Sequence, residues 1–404
     1  MTADRRVIAT MAFAAGAVVA NNYYAQPLEE TLAAAFHVSA GAIGVLITVF
    51  QLGYAVGLAT LVPLGDLLER RRLLITLLVC CVLGLVAMAA APTLGVLLAA
   101  AVLIGLTSVA VQVIVPFAAQ LAGEGKQGQV VGTVMSGLLI GILLSRTVSG
   151  VLAGLVGWRW VFGTAAVVTA GAAVLLWREL PVHQPTVRMR YPALLGSVFR
   201  LIADEPALRY RMAYGALDMG MFSIFWATAG FLLARAPYRW NEIEIGLFAL
   251  LGVAGALAAR FAGKLADRGH ARWSTLGFLV LGALSWLPIA LGVSGTVVGV
   301  MALAVGVVVL DLGVQGLHIT NQSVIYRLRP EARSRITTAY MTAYFLGGTV
   351  GSALATLVYS THGWIGVCWL GAAFPAVGCV LFAVEHLTTR GSRTATGQPV
   401  PAAR

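Results

Sequence analysis

The sequence predicts an all-α integral membrane protein, with twelve transmembrane helices arranged as two pseudo-symmetric six-helix bundles. Three observations carry that expectation. Hydrophobic residues make up 59% of the 404 residues and charged residues only 11%, against about 25% charged in ordinary soluble domains. Apolar runs of roughly twenty residues, each able to cross about 30 Å of hydrocarbon, fall at 7–27, 41–62, 73–91, 94–117, 130–154, 160–177, 212–233, 245–263, 273–293, 296–322, 336–359 and 364–384. The second half also echoes the first. Thr147-Val148 and Gln120 recur 202 residues later as Thr349-Val350 and Gln322, and Asp66 recurs 201 residues later as Asp267. The expected organisation is a first bundle over 1–178, a linker over 179–211, a second bundle over 212–384 and a polar, disordered tail over 385–404.

The net charge of +11 sets topology and excludes a nucleic-acid partner, because of where the charge lies. All 27 Lys and Arg fall in the termini and in alternate loops, except Arg146 deep inside a span, Arg260 near the cytoplasmic end of its span, and Arg159, Arg235 and Arg239 in the opposite loops. Positive residues collect on the cytoplasmic side, so both termini are expected there, in a multi-pass protein of the inner (plasma) membrane. Cys80, Cys81, Cys368 and Cys379 lie in spans and read as small apolar packing residues, with neither disulfide nor metal-ligand spacing. Arg5 and Arg6 ahead of an apolar run mimic a signal peptide, but the run is too long, and the segment is expected to be retained.

The first span ends N-N-Y-Y-A-Q-P-L. Tyr23 and Tyr24 suit a headgroup-level anchor, yet Asn21, Asn22, Tyr23, Tyr24 and Gln26 on successive turns cover every face of a helix end. Part of the cluster is expected to line the mouth of a central cavity. Gly53 and Gly57 in the second span form a small-xxx-small pair suited to close helix packing. The second span then delivers the chain into L-V-P-L-G-D-L-L-E-R-R-R-L-L at 61–74. Here Asp66 can cap the next helix or pair across to a facing helix in one conformation only, beside Arg70 and Arg71. The echo at 263–273 reads G-K-L-A-D-R-G-H-A-R-W.

These two turns resemble the loop signature G-x-L-A-D-R-x-G-R-R of the major facilitator superfamily and its second-half copy. Gly263, Leu265, Asp267 and Arg268 match; in the first copy Asp66, Arg70 and Arg71 remain, while Val62, Leu67 and Glu69 replace pattern residues. The resemblance covers nearly the whole chain. It implies two six-helix halves that rock about a central site, and gating roles for both turns. Many proton-coupled relatives carry an arginine in the fourth span, ahead of its mid-helix glycine. Here Ala101, Val102 and Leu103 precede Gly105; Gln112 remains as a hydrogen-bonding side chain.

The fifth span holds Arg146 in G-I-L-L-S-R-T-V-S-G, a partial match to the antiporter pattern G-P-x-x-G-G. A guanidinium stays charged at ordinary pH and must face protein or water, so Arg146 serves either a structural ion pair or substrate binding and coupling. Tyr191 to Ala203 in the linker can form an amphipathic helix on the membrane surface. Asp218 in the seventh span and Asp311 in the tenth are the deep carboxylates, and either could pair with Arg146 or carry a proton. Gln315 and His318 extend the polar face of the tenth span. Phe222, Phe225 and Trp226 could wall an apolar pocket. Asp311 and Asp218 are therefore the short list of proton carriers.

No G-x-x-x-x-G-K-[ST] loop offers an ATP engine, and neither H-E-x-x-H nor G-x-S-x-G stands at a span end. An enzyme, a cofactor and a metal are not expected. The resemblance implies a monomeric secondary transporter moving a small molecule, with protons as the coupling ion and efflux as the direction. Uptake by symport, facilitation, and a non-transporting sensor on the same scaffold are the alternatives.

Overall fold

A computed structural model describes residues 5–122, 127–182, 190–252, 270–329 and 332–395. Gly263, Asp267, Arg268, part of the eighth span and residues 396–404 lie outside the described residues. In chain order the helices of the first half are α1 Arg5–Ala20, α2 Glu29–Phe36, α3 Ala40–Thr60, α4 Arg70–Ala89, α5 Leu94–Ser108, α6 Ala110–Leu121, α7 Gln127–Val156 and α8 Trp158–Glu179. The linker carries α9 Tyr191–Asp204. The second half contributes α10 Pro206–Trp226, α11 Ala229–Ala234, α12 Glu242–Phe248, α13 Ala271–Leu291, α14 Val297–Ile325 and α15 Arg333–Ala395. In α15 two helices meet at Gly363, whose φ of 64° lies in the left-handed region that favours glycine. Nine stretches among the described residues are long and apolar enough to cross a membrane, and one of them, Ser334–Thr388, includes both the eleventh and twelfth spans. The 16-residue α1 stands at the first expected span, and the eighth lies partly outside the described residues.

Local chemistry explains the boundaries. Ser39, Thr93 and Thr296 cap α3, α5 and α14, each accepting a bond from a backbone N–H three residues on. At the first charged turn Glu69, not Asp66, caps α4, accepting from the N–H groups of Arg71 and Arg72. Asp66 instead pairs with Arg70 at 3.1 Å. Glu69 takes the cap because it directly precedes the first helical residue, within reach of the orphan donors. Helix α9 buries Leu194, Val198 and Leu201 and leaves Phe199 and Arg200 exposed, the amphipathic pattern expected of the linker.

Three spans expected to be continuous are interrupted. The first ends as regular helix at Ala20, and Asn21, Asn22 and Tyr23 follow with tighter backbone bonds to the third residue back, of 3.3, 3.1 and 3.0 Å. The N-N-Y-Y segment is thus a turn rather than a helix end, since asparagine side chains compete with the helical backbone. The fourth span breaks at Val109 and the seventh at Ala227-Thr228. Broken backbone at membrane depth is tolerated where it is buried in protein or lines a cavity, and two of these three breaks flank the site described below.

The final helix runs to Ala395, past the boundary placed at Glu385. Glu385 is not a tail residue: it pairs with Arg211 at 3.2 Å and accepts a 2.7 Å bond from the Tyr214 hydroxyl. Arg211 also donates to Thr275 at 2.8 Å and Asn321 at 3.3 Å. Breaking a buried pair from one side leaves a charge uncompensated, so Glu385→Ala is expected to destabilise the second bundle by about 3–5 kcal/mol. A clear drop in the unfolding temperature of purified protein checks it; an unchanged value would mean that the remaining partners and water suffice for Arg211.

The halves touch at both ends. On one face Arg235 pairs with Glu30 at 3.1 Å, Thr31 donates to Glu242 at 2.5 Å, and Thr147 donates to the Gly246 carbonyl at 2.8 Å. Toward the middle Gln51 donates to Ser223 and Thr48 meets Ser352, both at 3.1 Å, and the Tyr54 and Phe345 rings lie 4.2 Å apart. On the opposite face Ser334 donates to Asp66 at 3.5 Å, and Tyr191 of the linker donates to the Thr60 carbonyl at 2.8 Å. The close packing expected at Gly53 and Gly57 is with α5, inside the first half.

Candidate functional site

Arg146 lies near the middle of α7, 3% exposed. Its Nε donates to Gln26 Oε1 at 2.6 Å. Its guanidinium carbon sits over three rings, 4.3 Å from the Trp226 centroid, 4.6 Å from Tyr23 and 5.6 Å from Phe222. Stacking on ring faces partly offsets the desolvation of a buried cation, and a planar guanidinium suits it better than an ammonium. The broken end of the first span supplies Tyr23 and Gln26, and the seventh span, just before its break, supplies Phe222 and Trp226. Nη2 of Arg146 is buried without a hydrogen-bond partner among the described residues.

Beside it a cavity of about 180 Å³ opens between the halves. Tyr23, Leu143 and Arg146 line it from the first half; Phe222, Asp311, Gln315 and Tyr344 line it from the second. Asp311 is 4% exposed, and its Oδ1 has no partner. The backbone of Gly252 leaves it room: a Cβ there would stand 2.9 Å from Asp311 Oδ2 and 4.0 Å from Trp226 Cζ2. The buried Trp226 indole lies beside the Asp311 carboxylate. Arg146 and Asp311 face one cavity yet form no ion pair within 4.0 Å. Among the described residues the cavity is therefore lined by one cation and one carboxylate, each with an unsatisfied atom.

The other sequence candidates scatter. Asp218 is 1% exposed, with both oxygens unpartnered among the described residues, but it does not line the cavity; Tyr340 and Tyr344 stand within its electrostatic reach. Neither aspartate, then, is the ion-pair partner of Arg146 in this arrangement. His318 is held between Tyr340 at 3.1 Å and Gln322 at 3.1 Å, below the cavity-lining Gln315 on the same helix. Asn21 turns into the first bundle, donating to Cys81 Sγ at 3.4 Å and Thr169 at 3.3 Å. Asn22 keeps a buried, unpartnered Oδ1. Tyr24 contributes its carbonyl to Ser149 at 2.6 Å. Gln112 donates to the Tyr54 hydroxyl at 3.4 Å. In the charged turn Arg70 donates to Gln120 at 2.6 Å and to the Gly65 carbonyl at 2.9 Å, and Arg71 is partly buried.

Two residues escaped the sequence reading. Tyr344 is one aromatic among many in the spans, and nothing in its surroundings marks it as facing a cavity. Glu29, in P-L-E-E, reads as a solvated loop acid but is fully buried, with both oxygens unpartnered. Burial, and then its neighbour Glu30, hold its carboxyl well above the ordinary range.

The Major Facilitator Superfamily model matches residues 8–310 and 216–403. The uncharacterized transporter YgaY of Escherichia coli O157:H7 is 48% identical over 379 residues, covering 93% of this chain and 94% of that protein. The inner membrane transport protein YnfM of Escherichia coli (strain K12) is 26% identical over 370 residues, covering 88% and 84%. A solved bacterial homologue of the human lysosomal transporter Spinster, inward-facing and unoccupied, superposes with a TM-score of 0.77 at 14% identity, covering 98% of both chains. With a helical body built for a bilayer and a charged cavity between its halves, the chain is a multi-pass membrane transporter of a small molecule, and it belongs to the Major Facilitator Superfamily.

Proposed function

We propose that this transporter is a proton-coupled exporter, working as a monomer by alternating access in the bacterial inner membrane, with both termini cytoplasmic. The observation that carries the reading is Asp311: a carboxylate buried between the halves, with no counter-ion within 4.0 Å among the described residues. An ionised carboxylate is costly in such a place and must be neutralised by a proton or by a positive group of the cargo. If the two neutralisers compete for one oxygen, proton entry from outside expels cargo outward, and cargo arriving from the cytoplasm expels the proton inward. Such competition is the linkage an antiporter needs. Asp218, buried and equally unpartnered, is the second place a proton could rest. The inner-membrane relative named above and the positive-inside charge distribution favour the location and orientation.

Asp311→Asn, reconstituted in liposomes, is expected to lose accumulation driven by a pH gradient while retaining exchange of cargo across the membrane. If Asp311→Asn still accumulates cargo against its gradient, Asp311 does not carry the proton. If the double change with Asp218→Asn does so too, proton coupling through these groups is wrong.

A further inference from the structure

From the cavity's two unpaired charges we infer that the cargo is a small zwitterion: a molecule carrying a carboxylate and an ammonium close together, with an apolar side group. The inference rests on the transport reading of the same cavity and adds the chemical class of what is moved. Arg146 Nη2 and Asp311 Oδ1 are both buried and both without partners, on residues that line one cavity from opposite halves without touching each other. A ligand that leaves either atom unsatisfied gives up a charge-assisted hydrogen bond in a place where water competes little.

That condition sorts the candidates. A simple anion would bond Arg146 but set its charge against Asp311. A simple cation would reverse the conflict, and an uncharged molecule would answer neither group. One molecule with both charges satisfies both ends, and its own net charge of zero matches the one cation and one carboxylate that line the cavity among the described residues. Apart from Gln315, the remaining described wall is apolar or aromatic, with Tyr23, Leu143, Phe222 and Tyr344 positioned to take a hydrocarbon or aromatic side group. About 180 Å³ suits a molecule of amino-acid size rather than a large amphiphile. The ammonium end is also the group that competes with a proton for Asp311.

The test is equilibrium binding to the purified full-length protein in detergent, by calorimetry, with no gradient present. The probes are L-leucine, L-phenylalanine and L-methionine, with the N-acetyl derivative (anion only) and the amide (cation only) of each. The expected result is that at least one zwitterion binds and that each of its single-charge derivatives binds roughly tenfold or more weakly. In Arg146→Gln, confirmed folded by its unfolding temperature, the amide should bind as well as the parent; in Asp311→Asn, the N-acetyl derivative should. Binding of an N-acetyl derivative or an amide to the wild type at least as tight as its parent overturns the inference, and so does failure of every zwitterion in the panel. Because no gradient is involved, zwitterion binding can succeed while proton-driven export fails. Conversely, gradient-driven flux of a purely anionic or cationic solute would sink the inference and leave the export reading standing.

Discussion

Arg146→Ala is expected to reduce transport about a hundredfold or more, measured as initial flux per folded protein in liposomes. Truncating one partner of a buried charged hydrogen bond costs roughly 2–5 kcal/mol of binding, and about 2.7 kcal/mol already corresponds to two decades. Arg146→Lys is expected to recover little. A single ammonium cannot both hold Gln26 Oε1 and face the cavity while lying flat between Tyr23 and Trp226, which the guanidinium does with separate nitrogens and a planar face. A purely structural arginine would behave differently. Its removal would lower the unfolding temperature while leaving flux per folded molecule near the wild-type value, and that outcome would remove Arg146 from the site.

Gly150→Val is expected to break the closed contact between the halves on the face that carries Glu30 and Arg235. Gly150 of α7 packs against α12, where a Cβ would lie 2.1 Å from the Glu242 carbonyl oxygen and 3.0 Å from Gly246 Cα. Both obstacles are backbone on an adjoining helix, so no side chain can swing aside, and the two helices must separate. Thr31, which bonds Glu242 across the same contact, reports on that separation. In a background lacking the four native cysteines, Thr31→Cys should react with an impermeant maleimide roughly tenfold faster when Gly150→Val is present, as the equilibrium moves toward the state open on that face. Unchanged labelling together with normal flux would mean that α7 and α12 adjust locally and that this contact does not govern opening.

Glycine at position 150 could not have been assigned that role from its neighbours in sequence. Its partner lies 96 positions away at Gly246, and the approach exists only because α7 of one half meets α12 of the other. The same limit explains why the sequence left Asp66 open between a cap and a pair. An aspartate before a helix is a sound cap in general, but the local path of the chain put Glu69 at the helix start and left Asp66 to Arg70 and Ser334.

By itself the sequence determined what depends on sums over neighbouring residues. Spans, linker helix and membrane class follow from hydropathy and length, which are local and additive, and the oddity of Arg146, Asp218 and Asp311 follows from the cost of charge in hydrocarbon. Tertiary structure alone decided which of those charges share a cavity. Asp311 and Asp218 look alike in sequence, each an acid in an apolar helix, yet only Asp311 lines the cavity beside Arg146. Direction around a helix changes by about 100° per residue, and the breaks after Ala20 and Trp226 shift that direction further. The facing of a side chain hence depends on how helices far apart in the chain pack against each other, and no window of sequence contains that information.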